Sequence, residues 1–255
     1  MRSDEPLTRD QVEERYGTAG GFRLPTFKTR GALLWIVLGL LLAAVALAGG
    51  LPGGGDRVNL RDVLDPFPAA PAASGPPPRG ASAVALDLQQ TWKALFTHAG
   101  VSFRPATIVV ARRSASSDCG VAPSSVYYCD YDSKLVVAPG ASSYAVAHGY
   151  AHHVQNILNI TRQVRRAERA SPSQGRDFWL RHELQADCLA GVWAHSAYAT
   201  EAAAGAEQAA VPGKPDHFAD SAAWNAPSRG DRDRWFGRGY GNGKALGCDT
   251  FSGER

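Results

Sequence analysis

Hydrophobic and polar positions divide the chain into segments of different character. Met1 to Arg30 mixes acids and bases with no clear period, so no element and no function is predicted there. Ala32 to Ala48 (ALLWIVLGLLLAAVALA) is an uncharged apolar run at the short end of what spans a bilayer, extendable through Gly49 to Leu51. Arg23, Lys28 and Arg30 precede it, which predicts a cytoplasmic N-terminus and a large C-terminal part outside the membrane. A cleaved signal peptide is the competing reading. The long polar segment in front of the run, and a run longer than a signal core, favour an uncleaved anchor. From Gly49 to Gly80 the chain is rich in Gly, Pro and Ala, a composition that cannot build a core and predicts a tether.

From Ala81 onward the periodicity changes. A helix is predicted around Leu86 to Ala99, then short β-rich runs at Thr107 to Val110, Val126 to Cys129 and Leu135 to Val137, and after them two further helices. This order predicts an α+β domain in which a small sheet lies beside the last two helices and offers an edge to an extended peptide. The predicted organisation is 1–30 cytoplasmic, 31–51 transmembrane, 52–80 linker and 81–255 a single extracytoplasmic domain large enough for its own core. No internal repeat is visible.

Candidate chemistry sits on those two helices. In Ala147-His148-Gly149-Tyr150-Ala151-His152-His153 two imidazoles stand at i and i+4 on one helix face, where His148 and His152 can hold one metal ion together. Such a pair is weak evidence alone, because two polar residues on a solvated face give the same pattern. Downstream, Glu183 and Asp187 form a second i, i+4 pair, and Ala190 and Ala194 continue their stripe with side chains small enough for another helix to come close. One carboxylate can complete a His2Glu zinc site, and the other can accept the free ring N–H of a ligating histidine and fix its tautomer. A solvated acidic face is the alternative. Phe178, Trp179, Leu184, Leu189, Val192 and Trp193 argue for a helix buried on most sides, and buried carboxylates need a partner.

Three segments, Ala147 to Leu158 (AHGYAHHVQNIL), Glu183 to His195 (ELQADCLAGVWAH) and Arg234 to Phe251 (RWFGRGYGNGKALGCDTF), resemble in order the bacterial neutral zinc metallopeptidases, membrane-anchored proteins of gluzincin, thermolysin-like type. The resemblance covers residues 84–251. It implies a zincin-like fold, zinc as cofactor, His148, His152 and Glu183 as ligands, and Asp187 behind a ligand. It also places Gly149 where the H-E-x-x-H glutamate takes the proton from the attacking water, work that a glycine cannot do. The connection from Pro212 to Asp231 departs as well: it is short and lacks the family's His-Gly element before Arg-Trp-Phe, which implies weaker transition-state stabilisation.

Glycine inside a helix costs about 1 kcal/mol relative to alanine, and the sequence gives no packing reason for Gly149. Two readings stand: drift after loss of catalysis, or space near the metal for the backbone of a substrate or partner. Zinc lowers the pKa of bound water to about 7, so a metal-bound hydroxide could sustain weak hydrolysis without the proton shuttle that supplies about 10²- to 10⁴-fold. His153 lies about 100 degrees round the helix from a ligand and points away from the metal. His98, His182, His195 and His217 read as surface or cap residues without a role.

Cys119, Cys129, Cys188 and Cys248 form no C-x-x-C pair, so disulfides in an oxidising compartment are expected. Of three connectivities, Cys119 with Cys129 is the local choice and leaves Cys188 with Cys248; buried free thiols are the alternative. A formal net charge of +3 on 255 residues, with scattered basic groups, argues against nucleic acid. The cluster Arg162, Arg165, Arg166, Arg169 reads as a solvated helical connection, with an anionic envelope surface as the alternative. Three functions remain: a cell-envelope pseudopeptidase that binds zinc and peptide segments or protein partners without cutting them, a weakly active zinc hydrolase, and a structural envelope domain without metal. Keeping His148, His152, Glu183 and Asp187 while losing the base favours the first over the third.

Overall fold

The computed structural model describes residues 60–112, 115–122, 126–199 and 227–252. All belong to one compact unit, Gly54–Arg255. The predicted cytoplasmic segment 1–30, the anchor 31–51 and linker residues 52–59 lie outside the described residues. Among the described residues no helix is long and apolar enough to cross a membrane.

The remainder of the predicted linker is part of the domain, which corrects the tether reading for residues 60–80. Helix α1 (Arg61–Leu64) is a single turn whose Leu60 and Leu64 are fully buried. Phe67 follows and packs edge-on against Phe96 with ring centroids 4.9 Å apart. Ala70 and Ala73 then donate backbone hydrogen bonds to Gly243 O and His195 O. Leucine, leucine and phenylalanine at 60, 64 and 67 already show helical spacing in the sequence, diluted there by the surrounding Gly, Pro and Ala.

Helix α2 (Ala81–His98) buries Val84, Ala85, Leu88, Trp92, Leu95 and Phe96 along one stripe. It ends where Gly100 takes φ +68, while Gly100 N–H and Val101 N–H close back onto Thr97 O and Phe96 O, the Schellman pattern. Strands β1 (Thr107–Val110), β4 (Val126–Cys129) and β5 (Lys134–Val137) form a three-stranded sheet in the order β1-β5-β4. β5 is central, parallel to β1 and antiparallel to β4, and its Leu135, Val136 and Val137 are all buried, as a covered strand requires. The sequence reading missed a small antiparallel hairpin, β2 (Ala115–Ser117) with β3 (Gly120–Ala122), because the three-residue runs Ala-Ser-Ser and Gly-Val-Ala are too short to show hydrophobic alternation.

Four helices complete the domain. α3 (Ser143–Ile157) is capped by Ser142, whose hydroxyl accepts from Ala145 N–H. α4 (Ile160–Ala170) follows directly, and its Arg165 pairs with Asp130 at 3.0 Å and lies over the Tyr131 ring. This arginine ties α4 to the turn between β4 and β5. α5 (Gly175–Ala197) and α6 (Arg229–Asn242) make the tightest contact. A Cβ at Gly191 would lie 2.1 Å from Phe236 O, and one at Gly239 would lie 2.0 Å from Cys188 O, so backbone meets backbone there. Ala190 and Ala194, the small residues singled out in the sequence, are buried beside this contact, but the glycines make it possible. Both expected disulfides are present: Cys119–Cys129 staples the hairpin to β4, and Cys188–Cys248 ties the C-terminal 3-10 turn Ala245–Cys248 to α5.

Candidate metal centre

α3 carries the two imidazoles because its opposite face, Val146, Tyr150 and Val154, is fully buried in the core. That leaves Tyr144, His148 and His152 in register on the side facing α5. The His148 and His152 rings stand 4.8 Å apart. From α5, Glu183 brings Oε2 to 3.1 Å from His148 Nε2 and Oε1 to 3.6 Å from His152 Nε2. One ligand atom from each of His148, His152 and Glu183 can be chosen with all three within 4.8 Å of one another.

The far nitrogens are held as well. His148 Nδ1 donates to Asp187 Oδ1 at 2.7 Å, and His152 Nδ1 donates to Gln155 Oε1 at 2.8 Å. With Nδ1 protonated on both rings, both Nε2 atoms are turned toward Glu183. Tyr144 O–H also donates to Asp187 Oδ1, and Arg232 Nη1 of α6 reaches the same oxygen at 3.4 Å. Asp187 is fully buried and Glu183 nearly so. Glu183 Oε1 is buried without a hydrogen bond among the described residues, a costly state that a cation between the three side chains relieves. Two imidazole nitrogens and a carboxylate, each with its lone pairs turned inward, are a donor set that suits zinc.

Electrostatics follow from this packing. Burial pushes the His148 pKa down, but the Asp187 and Glu183 carboxylates outweigh it and hold His148 at about 9. Burial pushes Glu183 up, yet His152 and His148 bring it well below the ordinary carboxylate range. Tyr144 is driven far upward by burial and then by the Asp187 charge, so it stays a neutral donor. Arg232, lowered by burial, is raised overall by Asp187, Tyr144 and Glu183.

Gly149 has a packing reason after all. A Cβ there would lie 2.6 Å from Val126 Cγ1 and 3.1 Å from Leu135 Cδ1, so β4 and β5 rest directly on α3 at this residue. The approaching chain is the protein's own strand, and a methyl group of Val126 stands where a side chain at 149 would begin.

His153 points away from the site, as expected. It donates Nε2–H to Arg104 O, accepts from Tyr128 O–H at Nδ1, and burial lowers its pKa to about 4. His98 bonds Ala94 O at the end of α2, and His195 bonds Tyr240 O, tying α5 to α6. His217 and the connection 200–226 lie outside the described residues. His182 corrects the sequence reading: it is 2 % exposed, stacks on His152 at 5.2 Å and bonds Thr161. It was misjudged because a histidine between Arg181 and Glu183 reads as polar surface, whereas the helix turns it inward. The sequence reading also passed over Tyr144, Gln155, Gln185, Arg232 and Val126. Helical spacing pointed to the first two, at i−4 from His148 and i+3 from His152.

Comparison with known proteins agrees with this geometry. The uncharacterized protein YpfJ of Escherichia coli K12 is 27% identical over an alignment of 302 positions, covering 98% of this chain and 99% of its own. The uncharacterized proteins Mb2605 of Mycobacterium bovis and Rv2575 of Mycobacterium tuberculosis H37Rv are each 31% identical over 174 residues, covering 52% of this chain and 58% of theirs. No solved structure matches the chain significantly. A family model described as "putative neutral zinc metallopeptidase" matches residues 14–251, and the chain belongs to that family.

Proposed function

We propose that this chain is a membrane-anchored, zinc-binding member of the family that has lost the catalytic base and binds peptide segments or protein partners at the bacterial cell envelope without cutting them. Bound zinc supplies Lewis-acid polarisation of a carbonyl and a positive charge beside it. The chain's residues define what remains. His148, His152 and Glu183 hold the ion, while Asp187, itself held by Tyr144 and Arg232, orients His148. A glutamate after the first histidine would take the water proton; here that place is Gly149, and Val126 fills the space beyond it. His153 cannot substitute, since both its nitrogens are engaged elsewhere. The single observation that carries the reading is this pairing of an intact donor set with a base position closed by the protein's own strand. The apolar run Ala32 to Ala48 supports the anchor, and two disulfides fit a domain outside the cytoplasm. β4, an edge strand against the site helix, is where an extended peptide would add.

Metal analysis and a protease assay on the purified full-length chain test this reading. The expected result is about one zinc per chain with little cleavage of an unfolded protein substrate. Chain that stays empty without chelators, or robust zinc-dependent proteolysis, overturns it.

A further inference from the structure

His152 lies at the head of a line of buried amides. Its Nδ1–H donates to Gln155 Oε1 at 2.8 Å. Gln155 Nε2 donates to His182 O at 2.8 Å and to Gln185 Oε1 at 2.9 Å, and Gln185 Nε2 donates to Cys248 O at 3.0 Å. Both glutamines are fully buried, so water does not compete for these bonds.

The direction of the line is dictated by two backbone carbonyls, one beside each glutamine. The carbonyl oxygens of Cys248 and His182 can only accept, so each glutamine must turn its NH2 toward them and its oxygen the other way. Gln155 Oε1 therefore meets His152 as an acceptor, and the imidazole must carry its proton on Nδ1. That leaves Nε2 bare on the side of Glu183. On His148 a carboxylate does the same work; on His152 two amides and two backbone carbonyls do it.

Cys248 stands at the far end because a disulfide holds it to Cys188 on α5, the helix that also carries Glu183, Gln185 and Asp187. Thr250 assists, through its bonds with Arg181. We propose that Gln155 and Gln185 are positioning residues that transmit the Cys188–Cys248 cross-link to His152, so that the zinc affinity of the site depends on that cross-link. The proposal rests on the zinc reading above, and its test has one arm that needs no metal.

In the metal-free full-length chain, nitrogen-edited NMR should show a protected His152 Nδ1–H resonance in wild type, lost in Gln155→Met and broadened by exchange in Gln185→Met. Competition with a chromophoric chelator should then show zinc dissociation constants raised about 10- to 100-fold in each glutamine variant. Gln155→Met/Gln185→Met should be no weaker than Gln155→Met, because the two act in series. Cys188→Ala/Cys248→Ala should weaken zinc by about tenfold, and Cys119→Ala/Cys129→Ala, which removes the other disulfide, should leave it within about twofold. Unchanged affinity in either glutamine variant overturns the proposal, as does equal weakening by both disulfide removals. If Cys188→Ala/Cys248→Ala does not fold, the glutamine variants decide with the cross-link intact. Wild type without zinc but with the protected resonance overturns the zinc reading; zinc binding without the resonance overturns the relay.

Discussion

Gly149→Glu returns a carboxylate to the turn between the two histidines, and the structure sets its cost. Helix propensity favours the change by up to about 1 kcal/mol. Against it, the new Cβ meets Val126 Cγ1 at 2.6 Å and Leu135 Cδ1 at 3.1 Å. Carbon atoms attract only from about 3.5 Å outward, so Val126 must retreat by about 1 Å. Overpacking of this kind costs about 1 to 3 kcal/mol. Packing wins, and Gly149→Glu should destabilise the metal-free protein by about 1 kcal/mol. Val126 is half-buried on an edge strand, so Val126→Ala is a mild loss that also removes the clashing methyl. In urea titrations of wild type, both single variants and the double, the coupling should be about 1 to 2 kcal/mol in favour of the double. Zinc-dependent, chelator-sensitive cleavage of unfolded protein should then appear in the double variant and be weak or absent in Gly149→Glu alone. A Gly149→Glu chain more stable than wild type, with additive effects, would refute the packing argument. A double variant that binds zinc yet stays inert would place a second defect in the connection before Arg232.

Glu183→Ala should lose zinc far more readily than His153→Ala, because Glu183 faces both Nε2 atoms while His153 is bonded to Arg104 and Tyr128; equal loss on dialysis would contradict the ligand assignment. His148 stands at about 9 without metal, so zinc must displace its proton below that pH. Affinity measured by competition should fall as pH drops below about 9, by roughly tenfold per pH unit. Stability of the metal-free protein runs the opposite way. The raised pKa contributes fully below the ordinary histidine value and is lost as pH rises through about 9. Non-reducing peptide mapping of native envelope material should find Cys119–Cys129 and Cys188–Cys248; labelling of all four cysteines without reductant would defeat the proposed topology. Loss of Cys188–Cys248 should cost about 4 kcal/mol in the loop-entropy account, read as a lowered urea midpoint. Gly239→Ala, which sets a methyl against Cys188 O, should cost about 3 kcal/mol or more by the same measurement.

Periodicity carried much of this fold. The expected run Leu86 to Ala99 falls within and just beyond α2, Thr107 to Val110 and Val126 to Cys129 became strands with those bounds, and the two i, i+4 pairs meet across α3 and α5. What the sequence hid was context. Leu60, Leu64 and Phe67 were lost among prolines and glycines, although three apolar side chains are enough to pin a segment to a core. Gly149 and Gly191 look alike as helix breakers, and only the opposing atom, a Val126 methyl in one case and Phe236 O in the other, tells them apart. His182 read as polar surface and the two glutamines drew no assignment, because hydropathy cannot see that their bonds are satisfied inside. Arg232 reaches Asp187 across more than forty residues of sequence, a pairing that no local pattern encodes.

The glycine contact between α5 and α6 has a consequence for chain continuity. α6 is held to α5 by backbone packing at Gly191 and Gly239, and Cys188–Cys248 bonds the two portions of the chain covalently on either side of residues 200–226. Peptide bonds in that stretch are therefore not what keeps Arg232 against Asp187. A protease cut there should yield a nicked molecule that migrates as one species until reductant is added and that keeps Arg232 against Asp187 while the disulfide is intact. The same stretch is thus a place where the gene can gain or lose sequence, even a whole inserted domain, while the body that brings His148, His152 and Glu183 together stays assembled.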